Sequence, residues 1–119
     1  MTWLAIALSL LLAPAVPIRV TVSPRIGLAP SDLHLKIIIE RDSTNRALAI
    51  NVAGDRFEYD SVKPVDGDQR QRVWDFWLND LPCGRYFVRV AIVRTDGEHP
   101  ARGASEIRGA QCPELEAQP

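Results

Sequence analysis

Two histidines, two cysteines and a scatter of carboxylates are the groups in this 119-residue chain that could do chemistry. A histidine can pass a proton near neutral pH, and with a nucleophile and an orienting carboxylate it can build a triad. His34 alternates with Leu33 and Leu35, so it is expected on the solvent face of a strand. His99 falls in the stretch Asp96-Gly97-Glu98-His99, which reads as a hairpin loop. No Ser or Cys stands in a nucleophile-elbow motif, and no Gly-rich phosphate loop occurs. Asp66 and Asp68 flank Gly67, with Asp55, Glu58 and Asp60 upstream, and could offer oxygens to calcium. Calcium takes six to eight oxygens. Only two Asp share this loop and Arg70 and Arg72 follow it, so a solvated loop is the expectation. The chain is therefore expected to be no enzyme, with no catalytic residue, cofactor or metal site. The rival is an enzyme or metalloprotein built on His34 or the acidic loop.

Composition narrows the partners. Fourteen basic residues stand against fifteen acidic ones, for a net charge of −1. A nucleic-acid binder that neutralises phosphates needs a basic excess, so nucleic acid is not expected as a partner. Hydrophobic residues make up 46%, enough for a folded core.

Positioning starts with an address. Trp3 to Ala13 is an uncharged apolar run, and Ala13-Pro14-Ala15 has the small residues of a cleavage site. Residues 1–15 are read as a signal peptide, or else as an uncleaved anchor. Residues 16–112 are the domain, and 113–119 a flexible acidic tail. The expected location is secreted or periplasmic, or anchored by the N-terminal apolar segment. No membrane contact is expected unless that segment is retained.

From Ile18 the pattern has period two with regular turn signals. Ile18, Val20 and Val22 begin a first strand. Pro24 to Asp32 reads as a loop. Leu33 to Ile39, Leu48 to Val52 and a short piece at Phe57 and Tyr59 follow. Ser61 to Gln71 reads as a long polar loop, then Arg72 to Leu78, Tyr86 to Val93 and Ala101 to Ile107 complete the set. The expected fold is all-β, an immunoglobulin-like two-sheet antiparallel sandwich of about seven strands.

Leu81-Pro82-Cys83-Gly84-Arg85-Tyr86-Phe87-Val88-Arg89-Val90 is the most specific stretch. It resembles the L-P-x-G-x-Y-x-V-x-V segment of bacterial immunoglobulin-like and fibronectin type III-like domains. The resemblance makes Leu81 a core plug and Tyr86 a tyrosine corner whose hydroxyl bonds upstream backbone. It turns Phe76 and Leu78 inward, with Trp74 behind them, and leaves Asp75 and Trp77 to solvent. The third strand lacks the Trp of antibody domains, and no inter-sheet disulfide is present. Such families mostly serve as binding, adhesion or spacer modules.

Cys83 precedes the sixth strand and Cys112 follows the seventh. A four-residue loop at Asp96 to His99 would pair Arg94 with Ala101, Val90 with Ser105 and Cys83 with Cys112. In an exported protein that pairing reads as a structural disulfide. Two free buried thiols or a redox pair are the alternatives, and the spacing is not C-x-x-C.

Trp77, Phe87 and Arg89 form the candidate binding surface. Aromatic residues with Arg are the composition of binding hot spots and of sugar platforms. Whether the three are neighbours depends on which sheet each strand joins, and the Ser61–Gln71 loop could cover Trp77. The first and last strands are expected at edges, protected by Pro24 and Pro100, or else open to a partner strand. The expected function is an exported, non-catalytic module for protein interaction or structural support, its partner an unidentified protein. The alternative is a carbohydrate-binding module with an exposed aromatic face.

Overall fold

Alternation of apolar and polar residues along most of the chain leaves each strand one face to bury. The computed structural model describes residues 16–109. The expected signal segment, Cys112 and the acidic tail lie outside the described residues. Eight strands follow one another: β1 (Ile18–Ser23), β2 (Ile26–Leu28), β3 (Ser31–Ile39), β4 (Asn45–Gly54), β5 (Phe57–Pro64), β6 (Val73–Leu81), β7 (Gly84–Arg94) and β8 (Gly97–Arg108). They form an all-β sandwich with one three-stranded sheet, β1-β3-β6, and one five-stranded sheet, β2-β8-β7-β4-β5. No helix among the described residues is long and apolar enough to cross a membrane.

The core takes one residue from each inward pair. Leu33, Leu35, Ile37 and Ile39 of β3 are buried, and Leu48, Ile50 and Val52 of β4 face them with Val88, Val90 and Ile92 of β7. Slipping any of these strands by one residue would turn its apolar set to water, which pins the register.

Three expectations are corrected. The described residues hold eight strands rather than about seven, because the supposed loop Pro24–Asp32 contains β2 and the start of β3. β2 is held parallel to β8, with the Ala29 amide donating to the Arg108 carbonyl at 2.7 Å. The polar stretch 61–71 gives up Ser61 to Pro64 to β5, where each has a ladder partner on β4. His99 lies on β8 opposite Ile92, not in a loop.

The register of the last hairpin also differs. Arg94 pairs with Gly97 across a two-residue turn, Thr95-Asp96, so Val90 meets Ala101 and Tyr86 meets Ser105. Gly97 has φ +124°, a conformation that glycine adopts without steric cost, and this lets β8 begin at once. Cys83 therefore has no ladder partner at position 112. The end of the described chain still passes close by: a Cβ placed on Gly109 would lie 3.9 Å from that of Cys83.

The sheet edges are managed differently on the two sides. β2 covers the Glu106–Arg108 end of β8, so the last strand is not a bare edge. On the opposite side, β5 is the outer strand of its sheet and β6 of the other. Lys63 pairs with the buried Leu48, so it points inward from β5, and its Nζ lies 5.9 Å from the Phe76 ring centroid on β6. An inward-facing charge on an outer strand discourages edge-to-edge pairing.

Candidate functional site

The antiparallel ladder of β3 and β6 builds the most organised surface group. It sets His34 opposite Trp77, Leu35 opposite Phe76 and Lys36 opposite Asp75. Leu33, Leu35 and Leu81 are buried, and Phe76 and Leu78 pack partly buried against the core. The side chains between them must therefore emerge on the outer face. There the rings of His34 and Trp77 stack, with centroids 4.3 Å apart and planes 18° from parallel. Asp75 lies one step along the same face of β6, and its Oδ1 is 2.7 Å from His34 Nε2. The carboxylate holds the imidazole, and the imidazole covers one face of the indole. Trp77 nevertheless remains 60% exposed, so the Ser61–Gln71 segment does not cover it. β6 is an outer strand, so the second face of the indole looks toward solvent.

Phe87 and Arg89 are elsewhere. Both project from β7 on the outer face of the five-stranded sheet, where Phe87 is 64% exposed. The structure does not bring them together with Trp77: the two groups sit on opposite outer faces of the sandwich, because β6 and β7 belong to different sheets. Around Arg89 the surface dips into a shallow depression of about 220 Å³ lined by Ala49, Asn51, Asp60, Val62 and Ala91. Asn51 Nδ2 donates to Asp60 Oδ1 at 2.6 Å across its floor.

The corner between β6 and β7 has the hydrogen bond that the sequence resemblance implies. Leu81 is 2% exposed, and Tyr86 Oη donates to the Pro82 carbonyl at 2.6 Å. Burial raises the Tyr86 phenol above its ordinary pKa, and the nearby Asp55 charge adds to this. Cys83 sits in the same corner and is not a free thiol.

His99 and Asp66 have structural partners. His99 Nε2 lies 2.9 Å from Asp96 Oδ1, and this contact holds the Asp96 carboxyl below its usual range. Asp66 folds its loop upon itself: its Oδ1 accepts from the Asp68 amide at 3.1 Å, and its carbonyl from the Gln69 amide at 2.9 Å. No group of three or more His, Cys, Asp or Glu with metal-holding geometry occurs among the described residues.

Sequence reasoning missed His34 and Asp75 as partners of Trp77. All three carry the outward parity of their strands, so each was readable as surface. Their adjacency requires knowing that β3 and β6 pair, which no local pattern states.

Fold and site together define an all-β, two-sheet sandwich bearing an ordered aromatic group on its smaller sheet. No protein-family model matches the chain, and no curated protein matches it. Among solved structures, one described as "Myokine structure" is similar at 19% identity, covering 81% of this chain and all of the other, with a TM-score of 0.46. A likeness that distant carries no argument about function.

Proposed function

We propose that this chain is an exported, non-catalytic immunoglobulin-like module that binds a protein partner through the outer face of β1-β3-β6, with Trp77 as the anchor. The observation that carries the reading is the fixed, exposed indole: Trp77 is 60% exposed yet stacked on an imidazole that Asp75 holds. An ordered aromatic loses little side-chain freedom on binding, and aromatic residues dominate binding hot spots. The Tyr86–Pro82 hydrogen bond supports the immunoglobulin-like assignment. β5 pairs with β4 rather than joining β6, which separates the chain from the antibody constant type. The apolar run before Val16 supports export. Cys83, already not free and close to Gly109, is read as disulfide-bonded to Cys112, outside the described residues.

The carbohydrate reading now rests on one indole face, since Phe87 and Arg89 lie on the other sheet. A photoreactive side chain at Asn79, exposed and two residues from Trp77 on β6, tests the protein-binding reading in the native envelope or secreted fraction. The expected result is one discrete protein adduct that disappears when Trp77→Ala is added. An adduct pattern indifferent to Trp77→Ala, or none from folded exported protein, overturns it. In the second case a glycan panel decides the carbohydrate alternative.

A further inference from the structure

We infer that the outer face of the five-stranded sheet is a self-complementary surface that pairs with a second copy of this chain. The inference is independent of the Trp77 reading and concerns the opposite face of the sandwich. The outward residues of β5, β4, β7 and β8 form rows across the sheet, fixed by the ladders. One row reads Asp60, Asn51, Arg89, Arg102, and the next reads Val62, Ala49, Ala91, Pro100. On the other side of the charged row lie Glu58, Ala53, Phe87 and Ala104. The face is thus polarised. In these central rows carboxylates stand on β5 and guanidiniums on β7 and β8, with small side chains on β4 between them; Glu98 and Glu106 lie toward the two ends of β8, Glu106 beside Arg85. Arg89 and Arg102 are direct cross-strand neighbours of like charge, and neither has an ion-pair partner among the described residues. Like charges directly opposite one another weaken a sheet.

A two-fold axis parallel to the strands, between β4 and β7, resolves this arrangement. It lays β5 of one copy over β8 of the other, and β4 over β7. Asp60 then faces Arg102, Asn51 faces Arg89, and the exposed Phe87 and Val62 face Ala53 and Pro100. Every contact occurs twice, as an isologous interface requires. Large residues meet small ones, and the row of Asp60, Asn51, Arg89 and Arg102 meets its own reverse. Two sheets packed face to face in this way are the aligned arrangement of sandwiches. Four strands of about eight residues present about 500 Å² a side. The total of roughly 1,000 Å² is at the lower bound for a specific interface, so the dimer is weak and concentration-dependent.

Sedimentation equilibrium on the full chain, purified as its host processes it, tests the proposal from micromolar concentration to about 1 mM. A monomer–dimer equilibrium that weakens as salt rises is expected. Arg102→Asp and Asp60→Arg, each checked for an unchanged unfolding transition, should each weaken the dimer at least roughly tenfold. Mixing the two variants should restore it, because the mixed pair sets Asp against Arg at both contacts. Trp77→Ala should leave it unchanged. A chain that stays monomeric throughout overturns the proposal. So does a dimer that survives both charge reversals, or one that mixing fails to restore.

Discussion

The indole of Trp77 lies against the imidazole of His34 at a centroid separation of 4.3 Å, and the imidazole is held in turn by Asp75. Two outward side chains from different strands therefore act as one unit. A double-mutant cycle with His34→Ala and Trp77→Ala, read by urea unfolding, should give a coupling of about 0.5–1.5 kcal/mol. Additive single effects would mean that the stack contributes nothing to holding the indole.

Tyr86 ties the β6–β7 corner to the core. Tyr86→Phe keeps the ring and removes the hydrogen bond to Pro82, and should cost about 1 kcal/mol. The pH dependence follows from the raised phenol pKa. The folded state favours the neutral form, so this stabilisation is complete below the ordinary tyrosine pKa of about 10. It is lost as pH rises through the higher folded value. Unfolding midpoints between about pH 9 and 11.5 should fall more steeply for the native chain than for Tyr86→Phe. Parallel slopes would remove Tyr86 from the alkaline behaviour.

Gly67 is required by close approach. A Cβ there would run into the backbone of Ser43, which cannot yield as a side-chain tip can. Gly67→Ala should destabilise by about 1–3 kcal/mol. Calcium added to the native chain should leave its unfolding midpoint where it was. A midpoint that rises with calcium would reinstate the acidic loop as a site.

The cysteine pair is open to direct counting. The denatured, unreduced exported chain should show no titratable thiol. Reduction should then lower stability by roughly 3.5 kcal/mol, the chain-entropy value for a loop of about 30 residues. Two titratable thiols before reduction would refute the disulfide.

Much of this protein is local and could be read residue by residue. Alternation along Leu33 to Ile39 and along Tyr86 to Ile92 assigns inside and outside, because side chains on a strand project to alternate faces. The same rule turned Trp77 outward and Trp74 inward, and the L-P-x-G-x-Y stretch pointed to the Tyr86 corner. Local pattern was weakest where a strand depends on its neighbour. Ile26 to Leu28 is a strand only because β8 offers it a ladder, and the end of β5 continues because β4 runs beside it. The last hairpin went astray by a shorter turn than its residues suggested, since Gly97 allows β8 to start two positions earlier than His99.

The sequence by itself determined the parity of the strands, the core-facing set, and a nearly neutral composition that argues against phosphate binding. Tertiary structure alone decided which outward residues are neighbours. Trp77 and Phe87 are ten positions apart in the chain yet on opposite faces, while His34 and Trp77 are forty-three apart and touch. The reason is physical: parity comes from the geometry of one backbone, whereas strand pairing comes from the joint burial of many distant side chains. Surface sites on a β-sandwich are made by the second of these.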